Sequence, residues 1–593
     1  MSKIFTNNFK TFVIDQTIAN NPQFFMFLGK HQPFADDTNP PLPLDRVSET
    51  YTGAYDTMIV GKGISPDDIT HMIPRIDWTY GTGYKAYRHT SGDLYGNAFY
   101  VSVTSSSGYD VFKCLSNNGV ESIAAPDLTA TSPSDDIYET IDGYQWKYMY
   151  SIPTATFNKF ATRDYIPVSA NTDVVAAAVD GAIDYIDIVY GGSNYDTYTT
   201  GTIQSLAVGG NTRILTIESS ASPNTSFYVG SALKITQGTG AGQLRIVTDY
   251  SVSGATRTVV IDREFDIAPT TTSTYEITPH VVLTGGGTGF VGRALVNTAA
   301  SNTIYKVEVV NRGNGYYYGD AYVAGNTGGV SNSAILSVVI GPRGGHGSDP
   351  IKELGGKYLC MTTTFDSTTL SANGKLLDTQ QFRSIGVLVD PLFANVEISY
   401  TDATGVFAVG ETVTQQGTNV TGTVVFDSGN ALQLTNVNGN FYTGNTSTYY
   451  IRGSTGVTPP TAAVVSVRNN GNDVQLGVDG HPHADYVNML TRVELLTSTG
   501  TFLANEIVTM SGNVSTSNAV VYYSDSTSLW LSTVRGEIGP TITGTSSATS
   551  ATVGNILRPD LIYGSGDILY MENISPINKT SGQTETIKAI IEF

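Results

Sequence analysis

The stretch "GDILYMENISPINKTSGQTETIKAIIEF" (566–593) decides how this chain is organised. It holds a dense apolar run, Ile568-Leu569-Tyr570-Met571, then Pro576, which predicts a turn, then an alternating strand over 587–591. The residues before it, from about 396 to 552, are of another kind: β sequence rich in Thr, Gly, Ser and Val. The denser style is that of residues 1–170 ("AFYVSV", "YDVFKCL", "YQWKYMYSIP") and 350–395 ("KYLCMTTTF", "FRSIGVLVDPLF"). The chain therefore reads as interleaved. A host domain in three parts (1–170, 350–395, 553–593) is interrupted by β insertions at 171–349 and 396–552. Insertions succeed at exposed loop tips, and inserted domains commonly have their ends close together. The ending should then return to the host. Tyr570 and Met571 are expected to be buried, with Trp78, Trp146, Tyr148 and Tyr150 as partners, and the last strand to pair within 1–170 or 350–395.

Each insertion contains a repeat. "IDIVYGGSNY" (186–195) aligns without a gap on "VEVVNRGNGY" (307–316). Alternation makes a strand, the Gly/Asn positions allow positive φ in the turn, and the Tyr covers the strand end. Between the copies, 205–277 forms another β block. In the second insertion "GVFAVGETVTQQG" (405–417) matches "GTFLANEIVTMSG" (500–512) at Gly405/Gly500, Phe407/Phe502, Glu411/Glu506, Val413/Val508, Thr414/Thr509 and Gly417/Gly512. Two small β modules of similar design follow from this.

The host reads as mixed. "PQFFMFLGKHQPF" (22–34) is strand-like. Val47, Tyr51, Ala54, Tyr55, Met58 and Ile59 fall on one helical face. Ser65, Pro66, Asp67 and Asp68 have the grammar of a helix start. The expected class is mainly β with a few short helices: an α+β host interrupted by two all-β regions with internal repeats.

Composition narrows the function. The 593 residues carry a net charge of −20, which repels a phosphate backbone, and no Lys/Arg-rich run offsets it. Only 14% of residues are charged, so the surface must be covered by Thr, Ser, Asn and Gly. There is no apolar run of about 18 residues, as a membrane span needs, and the first residues lack the apolar core of a signal peptide. A soluble chain made in a cytoplasm is expected. Cys114 and Cys360 each sit among apolar residues, which predicts two buried free thiols rather than a disulfide or zinc site.

Catalytic signatures are missing. There is no Gly-x-Ser-x-Gly elbow, P-loop or His-Glu-x-x-His. "LTGGGTGF" (283–290) is followed by no helix pattern, so it reads as a β-turn rather than a phosphate cradle. In "DGHPHADY", His481, His483 and Asp485 have the spacing of one strand face and donors that suit a transition metal. Gly480 and Pro482 argue for a loop, and a second chain would have to complete the shell. The acidic pairs at 67–68, 36–37 and 135–136 read as a helix start and two solvated loops. The 35 Tyr suit core packing and interfaces with one wet edge. No cofactor is expected.

The phrases "IPRIDW" (73–78), "YDVFKCL" (109–115), "DGYQWKYMYSIP" (142–153), "FRSIGVLVDPL" (382–392) and "DLIYGSGDILYMENISPI" (560–577) occur in an order that resembles the baseplate wedge protein eight family of T-even-like contractile-tailed phages. The resemblance covers the host segments. The insertions have no counterpart there and resemble Gly-x-Gly-Tyr repeats of phage structural proteins. The resemblance implies a non-enzymatic homodimer of the virion baseplate that binds neighbouring wedge proteins and helps couple host recognition to sheath contraction. The alternatives are a fibre-type adhesin for host glycans and a β-rich polysaccharide-degrading enzyme.

Overall fold

A computed structural model describes the chain except residues 1–3, 20–22, 45–52, 129–136, 196–198, 207–212, 326–329, 366–380, 392–395, 436, 438–440, 470–485, 512–516 and 579–582. The described residues are mainly β, with five short helices, open sheets and three closed barrels. They form two compact units, one of Met1–Thr11 with His71–Lys357, the other of Phe12–Thr70 with Tyr358–Phe593.

In the first unit, Tyr100–Ser105, Gly108–Ser116, Gln145–Pro153 and Ile137–Glu139 form an antiparallel sheet in that order. Both faces are covered. Phe112, Cys114, Trp146 and Tyr148 enter one core, while Val111, Met149, Tyr150 and Ile152 enter another. This is why these strands read as nearly continuous apolar runs. Further along, the Gly/Tyr repeat builds one shared core. Ile186 and Tyr195 of the first copy meet Val307 and Tyr316 of the second. Strand Tyr185–Tyr190 pairs with Ile335–Val339, and Thr303–Asn314 belongs to a four-stranded sheet. The first barrel, from Thr199–Leu206 to Thr274–Thr278, lies between the two copies in sequence.

The second unit is built on a five-stranded sheet ordered Tyr486–Asn488, Met58–Ile64, Phe24–Gly29, Gln381–Val389, Asp567–Asn578. The closing strand Glu585–Glu592 pairs along its whole length with Tyr358–Phe365. The ending thus pairs with two strands from 350–395. Its details differ from expectation. Pro576 makes no turn: Asp567–Asn578 is one strand, and the register slips between Phe382/Ser384, where a bulge takes up the residue that cannot donate a hydrogen bond. Tyr570 and Met571 are half-buried, as befits the end position in the sheet. Their cores contain Phe24, Phe27, Leu388 and Val387, whereas Trp146, Tyr148 and Tyr150 pack in the first unit.

The helix expected over 47–59 is not found. Val47 and Tyr51 lie outside the described residues, Gly53–Thr57 makes a little over one turn, and Met58 and Ile59 already belong to a strand. The strand they begin, Met58–Ile64, is paired with Phe24–Gly29 on one side and, over Val60–Lys62, with Tyr486–Asn488 on the other, and this pairing outweighs helical spacing. Ser65 does cap, accepting from Asp67 N, but Pro66–Asp68 is a single 3-10 turn and Ile69–Pro74 follows as a strand. The longest helix, Asn7–Ala19, has no strong amphipathic signature and was missed by pattern reading.

The second barrel (Val396–Thr401 to Thr461–Asn469) and third barrel (Thr491–Ser498 to Ser550–Leu557) have identical rings. In chain order their strands neighbour one another as first, fourth, third, second, fifth, sixth. The first barrel has the same six ladders if its first strand is equated with their sixth, so it is a circular permutation of them. One turn shows the equivalence atom by atom. Gly230 (φ 81°), Gly410 (φ 86°) and Asn505 (φ 66°) all take the left-handed conformation that Gly and Asn tolerate best. Their amides donate to Val247, Val424 and Val521 at 2.8, 2.7 and 2.8 Å. The amides of those three valines donate back to Ser231, Glu411 and Glu506, each at 2.9 Å. A second echo, Ser273-Thr274-Tyr275-Glu276-Ile277 against Ser447-Thr448-Tyr449-Tyr450-Ile451, marks the fifth-strand position of the shared ring.

Where the chain enters and leaves each barrel, the two backbones are cross-strand partners: Thr199 with Ile277, Val396 with Asn469, Arg492 with Leu557. Such partners lie only about 5 Å apart.

Candidate functional site

Among the described residues, no group of three His, Cys, Asp or Glu side chains is placed to hold a metal ion. The candidates His481, His483 and Asp485 lie outside the described residues, as do Asp135 and Asp136. No helix of the described residues is long and apolar enough to cross a membrane.

The remaining sequence candidates are structural in their geometry. Asp37 is not a solvated loop carboxylate. It forks onto Arg383, with Nε to Oδ1 at 2.9 Å and Nη2 to Oδ2 at 2.8 Å, while Arg383 Nη1 donates to the His31 carbonyl at 2.6 Å. The hydrogen bond from Arg383, against the opposing cost of desolvation, holds the Asp37 carboxyl below its usual range. Asp36 accepts from both the amide and the hydroxyl of Thr38. The glycines of "LTGGGTGF" connect His280–Gly285 to Thr288–Asn297 through a bend at Gly286, and no helix follows. A Cβ on Gly287 would stand 2.3 Å from the Asn314 carbonyl, so only glycine fits beneath Tyr316. Both cysteines are buried free thiols; burial pushes Cys360 up to about 12 and Cys114 higher still, which leaves them protonated and unreactive.

The repeated Glu411 and Glu506 have a role that their spacing alone did not reveal. Glu411 Oε1 accepts from Ala408 N at 2.8 Å, and Oε2 accepts from Ser454 N, Thr455 N and Thr455 Oγ1 at 2.8, 2.9 and 2.7 Å. Glu506 repeats the pattern with Leu503 N, Ser546 N, Ser547 N and Ser547 Oγ. Burial raises the pKa of each carboxyl, but these donors outweigh it and hold both below the usual range. Each carboxylate ties two turns of its barrel together.

Among the described residues, one local cluster of exposed tyrosines follows the second Gly/Tyr copy. In "GNGYYYGDAY" the first tyrosine, Tyr316, is sealed in the repeat core, while Tyr317 and Tyr318 are 75% and 55% exposed and meet edge-on at 4.9 Å. Tyr317 stands over Gly286, where a Cβ would come within 2.3 Å of its ring. Tyr322, on the following strand, is also exposed. A tyrosine joins an apolar body to a hydroxyl with few rotatable bonds, so it forms contacts at low entropic cost while staying soluble. This surface suits recognition by another macromolecule; it contains no arrangement of acid, base and nucleophile.

No family model matches the chain. A curated relative, the baseplate wedge protein gp8 of Enterobacteria phage T4, is 26% identical over 174 residues, which span 24% of this chain and 52% of that protein. The chain is thus similar, over about a quarter of its own length and half of that relative's, to a phage baseplate wedge protein.

Proposed function

We propose that the protein is a structural component of a phage contractile-tail baseplate wedge, which links neighbouring wedge proteins and transmits the conformational change that triggers sheath contraction. The observation that carries this reading is the similarity to the phage T4 wedge protein. Closed barrels and packed sheets, with exposed Tyr317, Tyr318 and Tyr322, are consistent with a part that works by repacking interfaces. In this reading the protein is assembled in the host cytoplasm and resides in the virion tail. It is a homodimer with an isologous contact, so one patch serves both subunits. The test is to identify by mass spectrometry the proteins of purified, baseplate-containing tails and those retained by the tagged chain. Absence of the chain from tails, or retention of no other tail protein, overturns the reading. Sedimentation at micromolar concentration should show the dimer.

We also propose that 171–349 and 396–552 are insertions into a fold carried by 1–170, 350–395 and 553–593. The adjacent ends of each barrel support this. Tyr486–Asn488, between the second and third barrels, pairs with Val60–Lys62, so the second region touches the host sheet midway. The exposed Tyr317–Tyr318 pair favours one second reading, a glycan-binding adhesin. Binding on a glycan array that is lost in Tyr317→Ser would support it over the wedge role.

A further inference from the structure

The strand Gly108–Ser116 carries one cation in a buried run, Lys113, whose side chain is 0% exposed. Its Nζ contacts the Glu353 carboxylate, itself 1% exposed, and Nδ1 of His346. His346 Nδ1 lies 3.1 Å from Glu353 Oε1. The other carboxylate oxygen, Oε2, accepts from the Gly347 amide at 2.7 Å. On the far side of the imidazole, Asp184 Oδ2 is 3.8 Å from Nε2, which has no hydrogen-bond partner. Arg312 holds Asp184 at 2.8 Å. Tyr87 presents its ring to Lys113 at 4.8 Å and lies edge-on to His346 at 5.0 Å, and the cation of buried Lys147 acts on both.

An ammonium and a carboxylate taken out of water each lose strongly favourable hydration. Transfer of one proton within the pair leaves an amine and a carboxylic acid with no charge to bury. Burial pushes both Lys113 and His346 well below their usual ranges, in the direction of neutral amine and neutral imidazole. An amine against a carboxyl group, an imidazole touching both, and an amide N–H on the oxygen that must gain charge are the components of acyl transfer.

We propose that Lys113 and Glu353 join, after folding, in an intramolecular isopeptide bond. Lys113 Nζ attacks Glu353 Cδ, and the new N–C bond forms as charge moves to Oε2, where the Gly347 amide holds it. His346 Nδ1 takes a proton from the attacking nitrogen and passes it to Oε1. The Cδ–Oε1 bond breaks and Oε1 departs as water. The ammonium–carboxylate pair becomes one amide and one water, with no oxidant or cofactor. Asp184 is a positioning residue that steadies the imidazole while it carries the extra proton. The link joins positions 240 residues apart, and the first barrel and the Gly/Tyr core lie within the loop it closes. Their base would be anchored covalently against mechanical load, whether or not the protein serves in a baseplate.

The intact mass of the purified full chain tests this. The expected result is the sequence mass less one water, with a branched tryptic peptide joining the segments that hold Lys113 and Glu353. Lys113→Met should retain the full mass. His346→Gln should slow closure about a hundredfold, leaving mostly open chains soon after synthesis. Asp184→Asn should move the pH profile of closure toward lower pH, which a packing role would not do. A wild-type chain of full sequence mass, or water lost elsewhere in the peptide map, overturns the proposal; this holds even where Lys113→Met fails to fold.

Discussion

The second and third barrels carry the same sequence repeat, the same ring of strands and the same buried glutamate, yet they are attached to the second unit in different ways. The apolar cluster of the second barrel is drawn from its own residues, Val396 to Val467. The third has such a cluster too, from Val493 to Val553, but Tyr522 and Trp530 on its outer side enter the core of the five-stranded sheet beside Phe24, Met26 and Val387. Register makes the contrast specific. Trp530 faces Arg492 across one ladder, and Gln433 faces Glu397 at the same place in the other. Where the third barrel has an indole under a guanidinium at 5.2 Å, the second has a glutamine and a carboxylate. The left-handed turn differs in the same sense. Gly410 has no side chain, while Asn505 Oδ1 accepts from His31 Nδ1 at 2.7 Å. A shared interior makes the barrel; outward-facing residues decide whether it is fused to a neighbour.

The largest expected effect comes from excision. Replacing 397–468 with a short Gly/Ser linker should leave a cooperative melt, because Val396 and Asn469 are cross-strand partners already. Removing 492–556 in the same way should broaden the melt and lower its midpoint, because the five-stranded sheet then loses Tyr522 and Trp530 from its core. Calorimetry of the two chains decides it; equal outcomes would falsify the contrast.

Next in size, Trp530→Ala should cost about 3–5 kcal/mol as a large-to-small core change, whereas Gln433→Ala should cost well under half of that. Urea titration of both variants compares them.

Acid should loosen the third barrel first. Burial, with the nearby Lys30 and Arg383 cations, pushes His31 down to about 4 although Asn505 pulls the other way. Its folded value lies below the unfolded one, so the unfolded chain takes up the proton first. The contribution of His31 is therefore complete above about pH 6.5 and falls as pH drops toward 4, by a total of about 3 kcal/mol. Stability measured from pH 7 to 4 should lose this slope in His31→Gln; an unchanged slope would exclude His31 as its source.

Glu411→Gln and Glu506→Gln should each cost about 2 kcal/mol, since hydrogen bonds to a charged acceptor contribute about 1.5–3 kcal/mol. Near-equal losses are expected because the donor sets match. The smallest effect, about 1 kcal/mol, is assigned to Asn505→Gly, which keeps the backbone conformation and removes only the bond to His31. A double-mutant cycle with His31→Gln should show the coupling.

Much was legible in residues that repeat or alternate. The Gly/Tyr copies, the matched Phe407/Phe502 and Glu411/Glu506, the two buried thiols, and the strand character of 587–591 all follow from local pattern, because alternation and left-handed turns are properties of a few adjacent residues. Other features were hidden for a physical reason: they depend on partners far away in the chain. Met58 and Ile59 have helical spacing, but Met58 pairs with Gly29 and Val60 with Leu28, Ile59 bulging between them, and this makes the segment strand. Pro576 looked like a turn until a bulge opposite Arg383 absorbed it. The permuted first barrel escaped repeat reading because its matching segments run in a different order. Lys113 was visible as a charge in an apolar strand, yet nothing near it in sequence names Glu353. By itself the sequence determined the β character, the repeats and the residues suited to each turn, since these rest on conformations available within a few residues. Which barrel is fused to its neighbour, and which buried charges meet, was decided only in the tertiary structure, where burial removes water and makes the choice of distant partner matter.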